Sequence, residues 1–479
     1  MSEKKQATIG QALIVLIPTC IFLIYAIVEM AADAHIPLLF GAVLCSFLGL
    51  KLGYTWKDLE EAIIKAISLA MPAILILMTV GMLIGSWIAS GVVPTMIYYG
   101  LQVINPAIFL AVAFILCMIT SLAIGTSWGT AGTVGVALMG IGSGFGIPVA
   151  MVGGAVISGA YFGDKLSPLS DTTNLTSVSA GVPLFEHVKF MLRVTVPATL
   201  IALVLFFVVG MQFTGDTVGD IPALLEVMRA NFNINPVLLL PPIFIIAIIA
   251  LKVPPLPGIL AGAVVAVPLF FIFQMNMQYD SFAAACAGIV DNLHYGFSID
   301  TDNDTVNSLF NRGGLHRKMW AISLVMVAMV FGGVMEKTGC LKSITEALIK
   351  FAKGIGSLTV VSMLSAIVGN LITADQYLSL ILPGRMYRVE YIKRGYHTKN
   401  LGRTLEAGGT LTSALIPWNS CGATMIVTLG LTAWTYVPFA FFNLACIALT
   451  LIYAFVGFSV AKLTDEEKAE MLAAAEAEM

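Results

Sequence analysis

The stretch Gly163 to Thr176, GDKLSPLSDTTNLT, decides how this chain is read. It lies between two apolar runs, Ile147 to Phe162 and the stretch that reaches Leu200 to Val209. Within it are two carboxylates, Asp164 and Asp171, a proline, Pro168, and a cluster of hydroxyls and amides. Hydrocarbon offers a backbone no hydrogen bonds, so a polar, helix-breaking stretch at membrane depth must line a cavity or be buried in protein. Ionisable groups in such a place are costly and mark an ion or substrate pathway. The stretch therefore reads as half of a transporter's binding site.

Composition agrees. The 479 residues are 58% hydrophobic and 11% charged, against roughly 25% charged in soluble chains. Apolar runs approaching the ~20 residues that span a bilayer recur along the chain, which makes it a polytopic membrane protein. The net charge of −3 gives no sign of nucleic-acid binding. Seven scattered cysteines read as small buried thiols, and the five histidines form no metal-ligand pattern with them. MSEKKQATIG at the N-terminus lacks a small-residue cleavage site, so the first apolar run reads as a membrane helix rather than a removed signal.

The clear helix candidates are Gln11–Val28, Ile36–Leu50, Ile67–Ser90, Thr195–Met211, Ile234–Ala250, Pro254–Phe273, Met319–Met335 and Tyr436–Ser459. Lys4 and Lys5 place the N-terminus inside, and Lys51, Lys57 and Lys65 return the chain there. The loop around Glu29 and Asp33, the uncharged Gly91–Asn105, the acidic linker Gln212–Asn233 and Asp280 to Asp304 read as external. The lysine-rich Lys337 to Lys353 and the basic Arg385 to Arg403 read as internal. About thirty mostly apolar residues, Gly354 to Gly384, join those last two segments. A re-entrant hairpin with its tip at Thr373-Ala374-Asp375 satisfies this, with two full spans as the alternative.

The chain also matches itself. At an offset of 248, Gly85 falls on Gly333, Gly91 on Gly339 and Met78 on Met326. The break Gly125-Thr126-Ser127 falls on Thr373-Ala374-Asp375, and Asp171-Thr172 on Asn419-Ser420. Upstream the offset is 220, placing Pro37 on Pro257. Corresponding loops differ in charge, as an inverted repeat requires. The expected fold is all-α, with about ten transmembrane helices plus two re-entrant hairpins, broken helices at the midplane, and twelve simple spans as the alternative. The expected segments are a cytoplasmic N-terminus 1–10, a first repeat 11–211, an external linker 212–233, a second repeat 234–460 and a cytoplasmic tail 461–479.

Each half supplies two breaks: Gly125-Thr126-Ser127 and Ser167 to Asn174, then Thr373 to Gln376 and Pro417 to Thr424. Carboxylates and carbonyls suit a hard cation such as sodium, and helix N-termini favour an anion. Asp171 leads the candidates, because SDTTN (Ser170, Asp171, Thr172, Thr173, Asn174) offers a carboxylate, hydroxyls and an amide within five residues. The same residues are good helix caps. Asp375 is the second acid; desolvation at a hairpin tip favours its neutral form and lets proton and sodium compete. Asp164 and Lys165 sit at the edge of the break, where they pair with each other or serve transport. Asn419, Ser420, Thr424, Thr126, Ser127 and Thr373 are neutral candidate ligands, with back-bonding to helix carbonyls as their ordinary alternative.

Twelve glycines among the thirty-nine residues Gly125 to Gly163 permit close helix contact. No Walker lysine follows a glycine, so energy is expected from ion gradients rather than ATP. Glu186, His187, Lys189 and Arg193 read as an internal surface, with His187 solvated. The tail Thr464 to Met479 reads as a charged helix outside the membrane.

GTSWGTAGTVGVALMGIG (Gly125–Gly142), GAYFGDKLSPLSDTTNLT (Gly159–Thr176), ITADQY (Ile372–Tyr377) and PWNSCGAT (Pro417–Thr424) together resemble the signature stretches of the NhaC-type sodium/proton antiporters. The resemblance spans essentially the full length. It implies a cytoplasmic-membrane protein of a bacterium or archaeon that exchanges internal sodium for external protons, with no cofactor beyond the transported ions. The family also includes a malate/lactate exchanger coupled to sodium and protons, so small organic acids are alternative cargo. A homodimer is common for such scaffolds, but no dimer face is legible. An organic-anion site calls for a buried cation, for which only Lys165 qualifies; a channel and a membrane enzyme are weaker readings, since no nucleophile–base set appears.

Overall fold

A membrane forces each backbone polar group to be satisfied within its own segment, and the apolar runs accordingly form helices. The computed structural model describes residues 5–30, 32–213, 221–251, 253–432 and 434–477. Among these, secondary structure is helical apart from one isolated bridge between Tyr396 and Lys462. Seven described helices are long and apolar enough to cross a membrane: Ile9–Ile27, Trp56–Ala89, Pro106–Ile124, Leu184–Gly210, Leu256–Gln278, His316–Lys337 and Ile355–Thr373. Shorter apolar helices include His35–Lys51, Ser420–Leu429 and Phe441–Val456. The outer faces carry large apolar side chains in the open, among them Ile14, Ile21, Leu200 and Val204. Water would not tolerate such a belt, and lipid does.

Several expected loops are helical. Gly91–Asn105 contains the helix Val92–Val103, and Lys337 to Lys353 contains Cys340–Ile349. Each begins directly after a left-handed glycine, Gly91 (φ 81°) and Gly339 (φ 75°), which turns the chain at once from the preceding long helix. The linker Gln212–Asn233 holds the helix Ile221–Asn231, and its residues 214–220 lie outside the described residues. Ser281 and Asn303 cap two helices, Phe282–His294 and Asp304–Phe310, inside the stretch read as an acidic loop. The helix expected from Ile67 starts at Trp56, because Thr55 and Asp58 form a reciprocal capping box there.

The long helices Trp56–Ala89 and Met319–Lys337, which correspond at the offset of 248, pack antiparallel. Gly81 lies against Gly314 and Lys318, and Gly333 against Ala62 and Ala66. Element ends recur at nearly the same offset: Ile124 and Thr373 close helices before the two tips, and Ala180 and Leu429 close the short helices after the breaks.

Both tips belong to antiparallel hairpins. In the first, Phe109 faces Gly142 and Phe145 at the base, while Gly129 lies against Ile124 near the tip. In the second, Ser362 meets Tyr391 (3.0 Å), Ser365 meets Tyr387 (2.8 Å) and Gly369 touches Ser379. The first arm of each hairpin runs parallel to the broken helix of its own half. Phe114 and Cys117 lie against Gly159, and Ser121 against Gly163; Met363 lies against Gly408, and Asn370 bonds to Thr412. The second arms cross over. The arm Gln376–Lys393 lies along the first half's short helix, with Gly384 on Ser179, and the first hairpin's return arm meets the second half's short helix, with Gly135 on Leu429. The two halves thus interlock at their four breaks.

Candidate ion-binding site

Asp164 lies in the last turn of the first broken helix, Val149–Leu166, and is 6% exposed. Pro168 cannot continue the helix, and the chain runs through Ser167 to Ser170 before Asp171–Ala180 begins. The Asp164 carbonyl, orphaned by that helix end, accepts hydrogen bonds from Thr172 Oγ1 (3.0 Å) and Thr173 Oγ1 (2.8 Å). Its carboxylate accepts from Ser127 Oγ at the first hairpin tip (2.7 Å), from Ser170 Oγ (2.7 Å) and from Thr172 Oγ1 (3.3 Å). One acid therefore gathers hydroxyls from the far side of its own break and from the neighbouring tip.

This carboxylate opens into a cavity of about 60 Å3 between the two halves. Thr126, Ser127, Asp171 and Thr172 line it from the first half, and Gln376 and Tyr377 from the second. A water needs ~15 Å3 on the same scale, so the space suits an ion with a few waters. The lining contains two carboxylates and no Lys, Arg or His. Beside the two carboxylates, the oxygens that line it are the hydroxyls of Thr126, Ser127, Thr172 and Tyr377 and the Gln376 amide. That is a hard-cation environment.

The other expected residues fall in several places. Asp171 lies on the exposed side of the cavity, in the first turn of its helix. Asn174 folds back onto the carbonyls of Pro168 and Ser170. Asp375 is buried but does not line the cavity; its Oδ1 accepts from Leu378 N (2.9 Å) and caps the hairpin's second arm. Thr373 and Thr424 donate to the carbonyls of Gly369 and Ser420. Asn419 bonds to Asn370, and the Ser420 amide bonds to the Ala374 carbonyl (2.8 Å), tying the second tip to the second break.

Two readings are corrected. Lys165 makes no ion pair with Asp164: adjacent residues on a helix point about 100° apart, and its fully buried Nζ has no hydrogen-bond partner. His187 is not solvated but wholly buried, 3.9 Å from Glu406. Sequence reading passed over Glu406, Asn370, Ala73, Ile76 and Trp128. The signal for Glu406 was an acid inside the otherwise apolar, glycine-containing run TLEAGGT. Asn370 carries an equally local sign, a lone amide in an apolar helix; it bonds to Gly409 O (2.7 Å) and Thr412 Oγ1 (3.0 Å).

Helical hairpins and broken helices enclosing a small oxygen-lined cavity are the construction of a secondary transporter. Residues 159–458 match the Na+/H+ antiporter family, and the chain belongs to it. It is 37% identical to the Na+/H+ antiporter NhaC of Alkalihalophilus pseudofirmus, over 96% of this chain and 98% of that one. It is 40% identical to the malate-2H+/Na+-lactate antiporter of Bacillus subtilis over 86% of each chain. The arginine/ornithine antiporter ArcD of Halobacterium salinarum is 35% identical over 98% of this chain and 96% of that one.

Proposed function

We propose that this protein exchanges sodium for protons across a prokaryotic cytoplasmic membrane by alternating access, with Asp164 taking the two cations in turn and both termini inside. The observation that carries the reading is the cavity lining: two carboxylates with surrounding hydroxyls and no basic side chain. A site that must be loaded to cross the membrane couples the two ions by competition for one carboxylate. Asp171 sits at the open side, where it draws cations in. Asp375, Asn419 and Ser420 hold the second tip and break in register. The antiparallel packing of corresponding helices supports an inverted-topology repeat whose halves rock against each other.

Organic-acid exchange is the second reading, favoured by the identity to the malate/lactate relative. It requires a cation at the carboxylate's binding place, and Lys165 is not among the residues that line the cavity. Purified protein in liposomes containing a pH-sensitive dye separates the two. A sodium gradient alone moving protons establishes simple antiport. A signal that appears only with malate or lactate present overturns it in favour of acid exchange.

A further inference from the structure

Glu406 and His187 form a buried acid–base pair that the cation site does not use. Both side chains are fully enclosed, with His187 Nε2 3.9 Å from Glu406 Oε1. Neither ring nitrogen and neither carboxylate oxygen makes a hydrogen bond to protein. Buried polar atoms are nearly always partnered, and four orphans on two facing side chains call for an explanation. Glu406 opens a π-helical turn, Glu406–Thr410, in the second broken helix. Such turns re-aim side chains and concentrate at functional sites. Thr410 Oγ1 and Lys165 Nζ, on this turn and on the helix packed against it, are likewise buried and unpartnered.

The pair also lies between two useful places. On one side the turn that Glu406 opens packs against both the helix that carries Asp164 and the helix that begins at Asp171. On the other, the His187 ring lies against Gly402 in the helix Lys399–Leu405, whose Lys399 pairs with Glu186 (2.9 Å) at an open surface cleft that the two line with Lys189 and Arg193. The helices around the pair present Asp164, Lys165, Asp171, Arg403, Tyr387, Tyr391 and Cys446. Of these, Arg403 is engaged with the Ser459 carbonyl and the Phe190 ring, and the two tyrosines with Ser365 and Ser362.

We infer that Glu406 and His187 relay protons between Asp164 and the surface that carries Glu186 and Lys399. The inference rests on the sodium/proton antiport reading. When sodium displaces a proton from the Asp164 carboxyl, that O–H bond breaks and the Glu406 carboxylate takes the proton across water. The Glu406 O–H then breaks as His187 Nε2 gains the proton, and the enclosed imidazolium gives it up to water that reaches it from the cleft. One proton moves: Glu406 returns to the carboxylate and His187 to the neutral imidazole, while Asp164 is left ionised with sodium bound.

The test compares two assays on the full protein in liposomes: radioactive sodium/sodium exchange, which needs no proton, and sodium-driven proton movement read by an internal dye. Glu406→Gln is expected to slow proton movement by at least about tenfold while sodium/sodium exchange stays within about twofold. His187→Gln moves the same way, and Glu406→Asp restores part of the proton signal. Retained sodium exchange proves that each variant is folded. If Glu406→Gln fails to assemble, His187→Gln decides. Proton movement unchanged in these variants, or both assays falling together, overturns the relay. A wild-type protein that exchanges sodium for sodium but moves no protons refutes antiport itself, and the relay with it.

Discussion

Replacing Asp164 with Asn removes one charge and little else. The amide keeps an oxygen for Ser170 and Thr172, so the break is expected to persist. A unit charge ~4 Å from a cation contributes about 4 kcal/mol at the effective dielectric of a protein site near 20, and about 1 kcal/mol in bulk water. Asp164 is enclosed and Asp171 lies at the open side, so the two limits apply to them in turn. At about 1.4 kcal/mol per tenfold, Asp164→Asn weakens apparent sodium affinity on the order of a thousandfold, and Asp171→Asn only about fivefold. The assay is a sodium titration of radioactive sodium/sodium exchange in liposomes, because an amide at 164 carries no proton and abolishes the dye signal outright, with size-exclusion profiles to confirm folding. A larger loss in Asp171→Asn, or an Asp164→Asn protein within about tenfold of wild type, would refute the assignment.

Ser127→Ala deletes a 2.7 Å hydrogen bond to the same carboxylate; bonds to charged groups contribute about 1.5–3 kcal/mol, so sodium affinity changes by about tenfold or more with little change in Tm. Gly163→Val has no room, since even a Cβ there would collide with the backbone of Ser121 and Leu122. Overpacking of this kind costs about 1–3 kcal/mol or more, and the variant is expected to lose thermal stability in detergent. Asn370→Ala strips the bonds joining the second hairpin to the second broken helix and leaves Asn419 short of a partner. A buried group left unsatisfied costs about 1–3 kcal/mol, so Tm falls, and transport falls with it if this tie holds the second break in place.

Much of this protein is written locally in its sequence. Long apolar runs with few charges have to be helices in lipid, because no other local structure satisfies the backbone there. Pro168, the hydroxyl-rich SDTTN and the polar tips at Gly125–Ser127 and Thr373–Asp375 mark where those helices break, since each acts on its own few residues. The offset of 248 was likewise legible, as it depends only on the order of residues. Which charged groups meet was not. Asp164 and Asp171 sit seven residues apart in one motif, yet Asp164 is the enclosed one, because Ser127, thirty-seven residues earlier, donates to it. Lys165 adjoins Asp164 in sequence and is carried away from it by the turn of the helix, while His187 and Glu406, far apart in the chain, are brought together. Backbone hydrogen bonding is a local constraint that sequence can express alone; the burial of a charge depends on helix phase and on partners from distant segments, and only the tertiary structure decides it.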